Sequence, residues 1–104
     1  LVQILFTELL ASMDRTALSL EANDLAGKSA ASSKALTIVY VLSTSLDFER
    51  GGEVAQSLSA FYAWVRGQLL ALTQDNSLER CRGIRNAIFE IADAWDQISS
   101  QAAA

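Results

Sequence analysis

Residues 78–98, LERCRGIRNAIFEIADAWDQI, carry the clearest helical pattern in the chain. Apolar side chains recur there at steps of three and four residues, and they are Cys81, Ile84, Ile88, Ile91, Trp95 and Ile98. Steps of that size place side chains on one face of an α-helix, so this stretch predicts an amphipathic helix with one buried stripe. Such a helix needs further helices against which its stripe can be buried.

Three further segments repeat the same spacing. Their stripes are Val2, Leu5, Leu9, Met13, Ala17 and Leu20; Ala31, Ala35, Ile38, Leu42 and Leu46; and Val54, Leu58, Phe61, Val65, Leu69 and Leu72. Short connections make consecutive helices antiparallel neighbours, so the sequence predicts an all-α fold, an antiparallel up-and-down four-helix bundle. We predict a single domain over residues 1–104, with helices at roughly 1–22, 25–46, 52–73 and 77–100.

The second segment is the place where a strand competes with a helix. Residues 37–42, TIVYVL, are rich in the β-branched and aromatic side chains that favour a buried strand. A single strand would find no partner strand in this sequence, and an isolated hairpin is marginal in water. We therefore predict a helix here as well.

The composition excludes several classes of function. With eight basic and twelve acidic side chains, the chain has a net charge of −4, which does not suit a nucleic-acid binder that must neutralise phosphates. The longest apolar run, residues 35–46, is too short to cross a bilayer, so we expect no membrane insertion. The one cysteine has no intramolecular disulfide partner, which fits a cytoplasmic protein.

Few side chains are suited to catalysis or metal binding. The chain has no histidine and one cysteine, which removes the usual general base and the ordinary ligands of a zinc site. We expect Cys81 to be a buried apolar side chain and Asp93 with Asp96 not to hold a metal. The arginines expected to pair with nearby carboxylates are Arg80, Arg82 and Arg85. We therefore predict that the chain is not an enzyme and uses no cofactor and no metal.

The second and third helices carry more apolar side chains than one buried stripe can hold. The surplus has two interpretations, which the residues alone leave open: a wide arc that faces the core, or a hydrophobic groove that receives an amphipathic segment of a partner. In the groove hypothesis Leu58 and Phe61 belong to the core. The residues predicted to line the groove are Leu36, Val39, Tyr40, Tyr62, Trp64 and Val65.

The order of motifs along almost the whole chain resembles the FliS family of flagellar secretion chaperones. The matching residues are Lys34-Ala35, Ile38-Val39, Leu42 and Leu46-Asp47, then Gly51-Gly52-Glu53-Val54-Ala55, then Leu58 and Phe61-Tyr62, and finally Ala94-Trp95. The chain departs from the family pattern at Thr7-Glu8, at Ser57 and at Ala63-Trp64-Val65. These departures concern the fine specificity for the partner more than the fold.

The resemblance implies a cytosolic export chaperone that binds the C-terminal region of flagellin, an amphipathic segment that is disordered when free. Binding would prevent premature polymerisation and support secretion, together with other flagellar export components. In the family, a segment ahead of the first helix can cover the binding surface; this chain begins at Leu1, and we expect the surface to be open.

Two alternatives to a chaperone stay open. One is a small all-helical enzyme of the chorismate-mutase type, which would need arginines or lysines that converge inside the bundle on a dicarboxylate. The other is a structural homo-oligomer, such as a homodimer, that buries the surplus apolar faces against a second copy of itself.

Overall fold

The computed structural model describes the backbone of residues 1–103 and the side chains of residues 1–98. Within that range the chain forms four helices: α1 (Val2–Glu21), α2 (Leu25–Thr44), α3 (Phe48–Asp75) and α4 (Leu78–Ala103). The described backbone contains no strand, and residues 37–42 belong to α2. Burial of Ile38, Val39 and Leu42 against the other helices outweighs their β-propensity, because that propensity depends strongly on context.

The four helices pack as a ring in which each contacts the helices before and after it, and α4 closes the ring on α1. Polar contacts that join the start of one helix to the end of another show that these helices run antiparallel. The side chain of Gln3, at the start of α1, donates to Asp96 near the end of α4 at 2.7 Å. Lys28, near the start of α2, donates to the carbonyl of Leu72 near the end of α3 at 2.9 Å. The predicted antiparallel up-and-down four-helix bundle is confirmed.

The core takes one stripe from each helix. Its buried apolar members are Phe6, Leu9 and Met13; Ala35, Ile38, Val39 and Leu42; Tyr62, Val65, Leu69 and Leu72; and Cys81, Ile84 and Ile88. Each fully buried side chain of the size of leucine contributes about 1.5–3 kcal/mol relative to exposure. Burial of the stripes against one another therefore stabilises the bundle, and each helix does not have to be stable in isolation.

Polar side chains in the three connections mark where helices begin. The Asp24 carboxylate accepts from the Gly27 amide at 2.9 Å at the start of α2. Asp47 accepts from the amides of Glu49 and Arg50, both at 3.1 Å, at the start of α3. The Ser77 hydroxyl accepts from the Arg80 amide at 3.1 Å at the start of α4. These caps satisfy amides that the first turn of a helix leaves without partners.

The start of α3 differs from the predicted boundary at residue 52. Gly52 has φ 50° and ψ −124°, so one helical turn, residues 48–51, precedes a kink and the long part of the helix follows it. That backbone conformation is essentially restricted to glycine. Adjacent glycines in the sequence suggest a turn, and here the turn lies inside the helix because Asp47 caps one extra helical turn ahead of it.

Replacing Gly52 with alanine is expected to destabilise the protein by about 1–2 kcal/mol, because a positive φ strains the backbone of alanine. No atom lies within 4 Å of the position that a Cβ would take there, so the loss would be conformational and not steric. Urea unfolding followed by circular dichroism measures this loss of stability.

Gly67→Ala is the matched control, since its site is equally open but lacks the positive φ. This variant should stabilise the protein by up to about 1 kcal/mol. Effects of the same sign would contradict this explanation.

Candidate functional site

An apolar groove lies between α3 and α4, which are the least closely packed neighbours in the bundle. One end of it, which we call the Trp95 end, encloses about 340 Å³. The apolar residues that line this end are Val54, Leu58 and Phe61 of α3 and Ile91, Ala94, Trp95 and Ile98 of α4. Val54 and Ile98 are exposed there. The bundle therefore leaves this apolar strip, which we call the α3/α4 groove, open to solvent.

Beyond Phe61 a second cavity, of about 410 Å³, lies between α3 and α4, and it shares no lining residue with the first. The Trp64 ring, which stacks on the Phe61 ring with 6.0 Å between their centroids, joins the two cavities along α3. Trp64 is 45% exposed and lines this end, the Trp64 end of the groove, with Gln68, Gly83 and neighbouring residues of α4. From Val54 to Gln68 the groove follows about four turns of α3, or roughly 21 Å. It is thus long enough for a short helix.

A further cavity, which we call the terminal cavity, adjoins the Trp95 end of the groove. It is lined by residues of all four helices: Val2, Leu42, Ser45, Leu46, Asp47, Arg50, Gly51, Val54, Ala55, Leu58, Tyr62 and Trp95. Val54, Leu58 and Trp95 line both the terminal cavity and the groove. The two are therefore one continuous apolar surface that reaches from the end of the bundle along α3 and α4.

Between α1 and α4 lie two further cavities of about 310 and 460 Å³, but polar contacts cross this side of α4. They join Gln3 to Asp96 at 2.7 Å, Arg85 to Asp14 at 3.2 Å and Arg82 to Glu21 at 2.8 Å. In the groove, Arg80 at the Trp64 end donates to Gln68 across α3 and α4 at 2.6 Å. The remaining described residues of the groove form no polar bridge between the two helices, so fewer polar contacts would have to break here than between α1 and α4.

The three arginines of α4 pair with carboxylates, as predicted, but none pairs with Glu79 or Glu90, the acidic side chains that lie near them in the sequence. Arg80 donates to Asp75 at 2.7 Å, and Arg82 and Arg85 form the contacts with α1 described above. The hydrogen bond from Arg80 lowers the pKa of Asp75. All three guanidinium groups are partly or fully exposed, so they form a paired surface and do not converge inside the bundle.

The six residues predicted to line a partner groove do not form one surface. Val39, Tyr62 and Val65 are 2%, 2% and 0% exposed and belong to the core. Tyr40 is 69% exposed, and Leu36 on the same helix is half-buried. Trp64, in contrast, lines the α3/α4 groove. In this structure only Leu36, Tyr40 and Trp64 of the six are accessible to a partner.

The placement of Leu58 and Phe61 also differs from the expectation that both belong to the core. Both are half-buried and line the α3/α4 groove. The buried stripe of α3 runs through Tyr62 and Val65 to Leu69. Neighbouring residues of a helix differ by about 100° around its axis. Because the side chain of Tyr62 faces the core, the side chain of Phe61 lies beside α4. Steps of three and four residues fit either choice, so spacing alone did not distinguish them.

Two buried side chains that ionise at alkaline pH, Tyr62 and Cys81, should make the stability of the fold sensitive to high pH. Burial raises the pKa of Tyr62 to about 12 and the pKa of the Cys81 thiol to about 11, from ordinary values of 10.0 and 9.0. Both groups ionise earlier in the unfolded chain, so their contribution is complete below about pH 9 and is lost as the pH rises towards 12. We expect the free energy of unfolding to fall by roughly 2–3 kcal/mol between about pH 8 and about pH 11.

Urea unfolding at the two pH values measures this loss. The double variant Tyr62→Phe with Cys81→Ala removes both ionisable groups, so its stability should fall less over the same interval. An equal fall in the variant and in the unmodified protein would show that other groups cause the alkaline sensitivity.

Within the part of the chain that the structure describes, no group of three or more cysteine, aspartate or glutamate side chains is arranged to hold a metal ion. Among the described residues, no helix combines the length and the apolar character needed to cross a membrane.

Comparison with known proteins adds a family match. Residues 1–102 match the family described as flagellar protein FliS. The chain is 35% identical over 103 residues to the flagellar secretion chaperone FliS of Salmonella typhimurium, covering 98% of this chain and 76% of the relative. It is 33% identical over 98 residues to FliS of Escherichia coli, with 93% and 72% covered. It is 27% identical over 99 residues to FliSB of Pseudomonas aeruginosa, with 95% and 79% covered.

Proposed function

The chain belongs to the FliS family of flagellar secretion chaperones, and we propose that it binds the C-terminal region of flagellin in the cytosol. Bound in this way, flagellin would not polymerise before it is exported. The observation that carries the proposal is the continuous apolar surface formed by the α3/α4 groove and the terminal cavity. An uncovered apolar groove of this kind suits an amphipathic helix of a partner.

The proposed mechanism uses the disorder of the free partner. A flagellin end that is disordered when free becomes a helix as its apolar stripe enters the groove. The same stripe is then no longer available to neighbouring flagellin subunits, which blocks polymerisation. Ordering the segment offsets part of the binding free energy. The complex is therefore specific over a large area and still releases its cargo to other flagellar export components.

The proposed contacts divide into two areas. Trp64 lies in the α3/α4 groove and supplies a large, partly exposed aromatic surface of the kind that dominates interface energies. Leu36 and Tyr40 offer a second contact area on α2. Val39, Tyr62 and Val65 contribute indirectly, because as core residues they hold α2 and α3 in position.

Isothermal titration calorimetry with a C-terminal fragment of the cognate flagellin tests the proposal. We expect saturable binding with a negative heat-capacity change, since apolar surface is buried. The chain should also delay flagellin polymerisation, followed by light scattering, in proportion to the fraction of flagellin bound. No heat at two temperatures, together with unchanged polymerisation in the presence of excess chain, would overturn the proposed function.

We propose further that the chain has no enzymatic activity. A site of the chorismate-mutase type needs basic side chains that converge on a dicarboxylate inside the bundle, whereas Arg80, Arg82 and Arg85 are committed to carboxylates at the surface. Saturable binding of a small dicarboxylate that Arg85→Ala abolished would contradict this proposal.

A further inference from the structure

The α3/α4 groove has acidic side chains along its length. Glu53 lines the Trp95 end and Glu79 lines the Trp64 end. Glu90 lines neither end, but it lies beside the groove on α4, because it occurs at helical steps between Gly83 and Ala94, which both line the groove. All three glutamates are exposed. Among the residues whose side chains are described, no lysine or arginine nitrogen lies within 4.0 Å of their carboxylates.

The basic side chain that lines the groove does not neutralise this strip. Arg80 donates its Nε to Asp75 at 2.7 Å and its Nη1 to Gln68 at 2.6 Å. Its positive charge is therefore already balanced by Asp75. The carboxylates of Glu53, Glu79 and Glu90 remain as the unbalanced charge beside an apolar floor.

Carboxylates around α1 have a different environment. Glu8 pairs with Lys34 at 3.3 Å, Asp14 with Arg85 at 3.2 Å and Glu21 with Arg82 at 2.8 Å. In those three pairs the basic partner comes from the neighbouring helix of the same chain. In the groove the counter-charge would have to come from another molecule.

We propose that the α3/α4 groove selects a helix of about four turns whose apolar stripe is flanked by lysine or arginine. The inference rests on the proposed function, because that helix is assigned to the exported flagellin. Apolar side chains of the partner contact the floor from Val54 to Trp64, and its basic side chains approach the three glutamates. Exposed charge pairs add little affinity each, but they accelerate association and fix the orientation of the bound helix.

A second copy of this chain fits the groove less well. The chain carries a net charge of −4, so two copies repel each other at long range. A cationic amphipathic helix is attracted by this net negative charge, which favours it as the occupant.

Two synthetic peptides of about four turns test the inference directly. They share one leucine stripe and differ only in whether lysine or glutamate flanks it. We expect the lysine peptide to bind about tenfold more tightly at low salt, and this preference should shrink at about 1 M salt, where the screening length falls to about 3 Å. Equal affinities of the two peptides at low salt would overturn the inference.

Charge variants separate the groove from the overall charge of the protein. In E53Q/E79Q/E90Q the preference for the lysine peptide should fall about tenfold, and the flagellin fragment should associate more slowly and with weaker salt dependence. The matched control E8Q/E21Q/D93N changes the net charge equally on α1 and on the side of α4 that faces α1, and it should keep the preference. Equal loss in both triple variants would overturn the inference.

The flagellin fragment distinguishes failure of this inference from failure of the proposed function. Unchanged affinity, association rate and salt dependence in E53Q/E79Q/E90Q would overturn the basic-helix inference and leave flagellin binding intact. Absence of binding to the unmodified chain would overturn the proposed function instead. A tight dimer in sedimentation that Trp64→Asp dissociates would identify a second copy as the occupant and overturn the inference.

Discussion

Trp64→Asp is expected to weaken binding of the flagellin C-terminal fragment by about 100-fold or more, the effect typical of a central aromatic residue in an interface. The substitution removes the ring that stacks on Phe61 and places a charge on the apolar floor of the groove. Because Trp64 is 45% exposed, the variant should fold normally. Calorimetry gives the affinity, and circular dichroism with urea unfolding checks the fold.

Phe89→Asp is the matched control for Trp64→Asp. Phe89 is also an aromatic residue of the bundle surface and is 48% exposed, but it lies on the α1 side of α4. We expect its replacement to leave the affinity within about threefold, the range of a contact outside the central area of an interface. If both variants lost binding equally, or if Trp64→Asp bound normally, the groove would not be the contact surface.

Tyr62→Ala is expected to destabilise the protein by about 3–5 kcal/mol, because removing a buried aromatic side chain leaves a cavity. Tyr62 is 2% exposed and packs within the core stripe of α3. Urea unfolding measures the loss.

Tyr40→Ala is the control for Tyr62→Ala, since these are the two tyrosines of the chain and Tyr40 is 69% exposed. Its stability should change by no more than about 0.5 kcal/mol. A similar loss of stability in both variants would contradict the division between a buried and a surface tyrosine.

Much of the fold could be predicted from the sequence. Steps of three and four residues in the stripes of Leu9 and Ile88 require helices whatever their neighbours are, and short connections leave few arrangements for four of them. The family resemblance came from the order of motifs such as Leu46-Asp47 and Gly51-Gly52-Glu53, and the family match over residues 1–102 confirms it.

The candidate site could be predicted only in part. The surplus of apolar side chains on α2 and α3 left a core-facing arc and a partner groove open; in the structure Val39, Tyr62 and Val65 are buried, whereas Trp64 is exposed. The groove hypothesis placed the contact on α2 and α3, and an open apolar strip lies between α3 and α4. Ile91 and Trp95 also line the groove, but they were predicted to be core residues because both fit the apolar stripe of α4. A sequence does not reveal which part of a stripe has no helix packed against it.

The sequence by itself determined that this chain forms four helices, since hydrophobic periodicity depends only on the order of residues along each helix. Whether Phe61 or Tyr62 enters the core was decided by the tertiary structure. The two differ by about 100° around the helix axis, and only the positions of the neighbouring helices select between them. Packing of α1 and α2 on one side of the bundle buries Tyr62 and leaves Phe61 beside α4, where close packing ends and the groove begins.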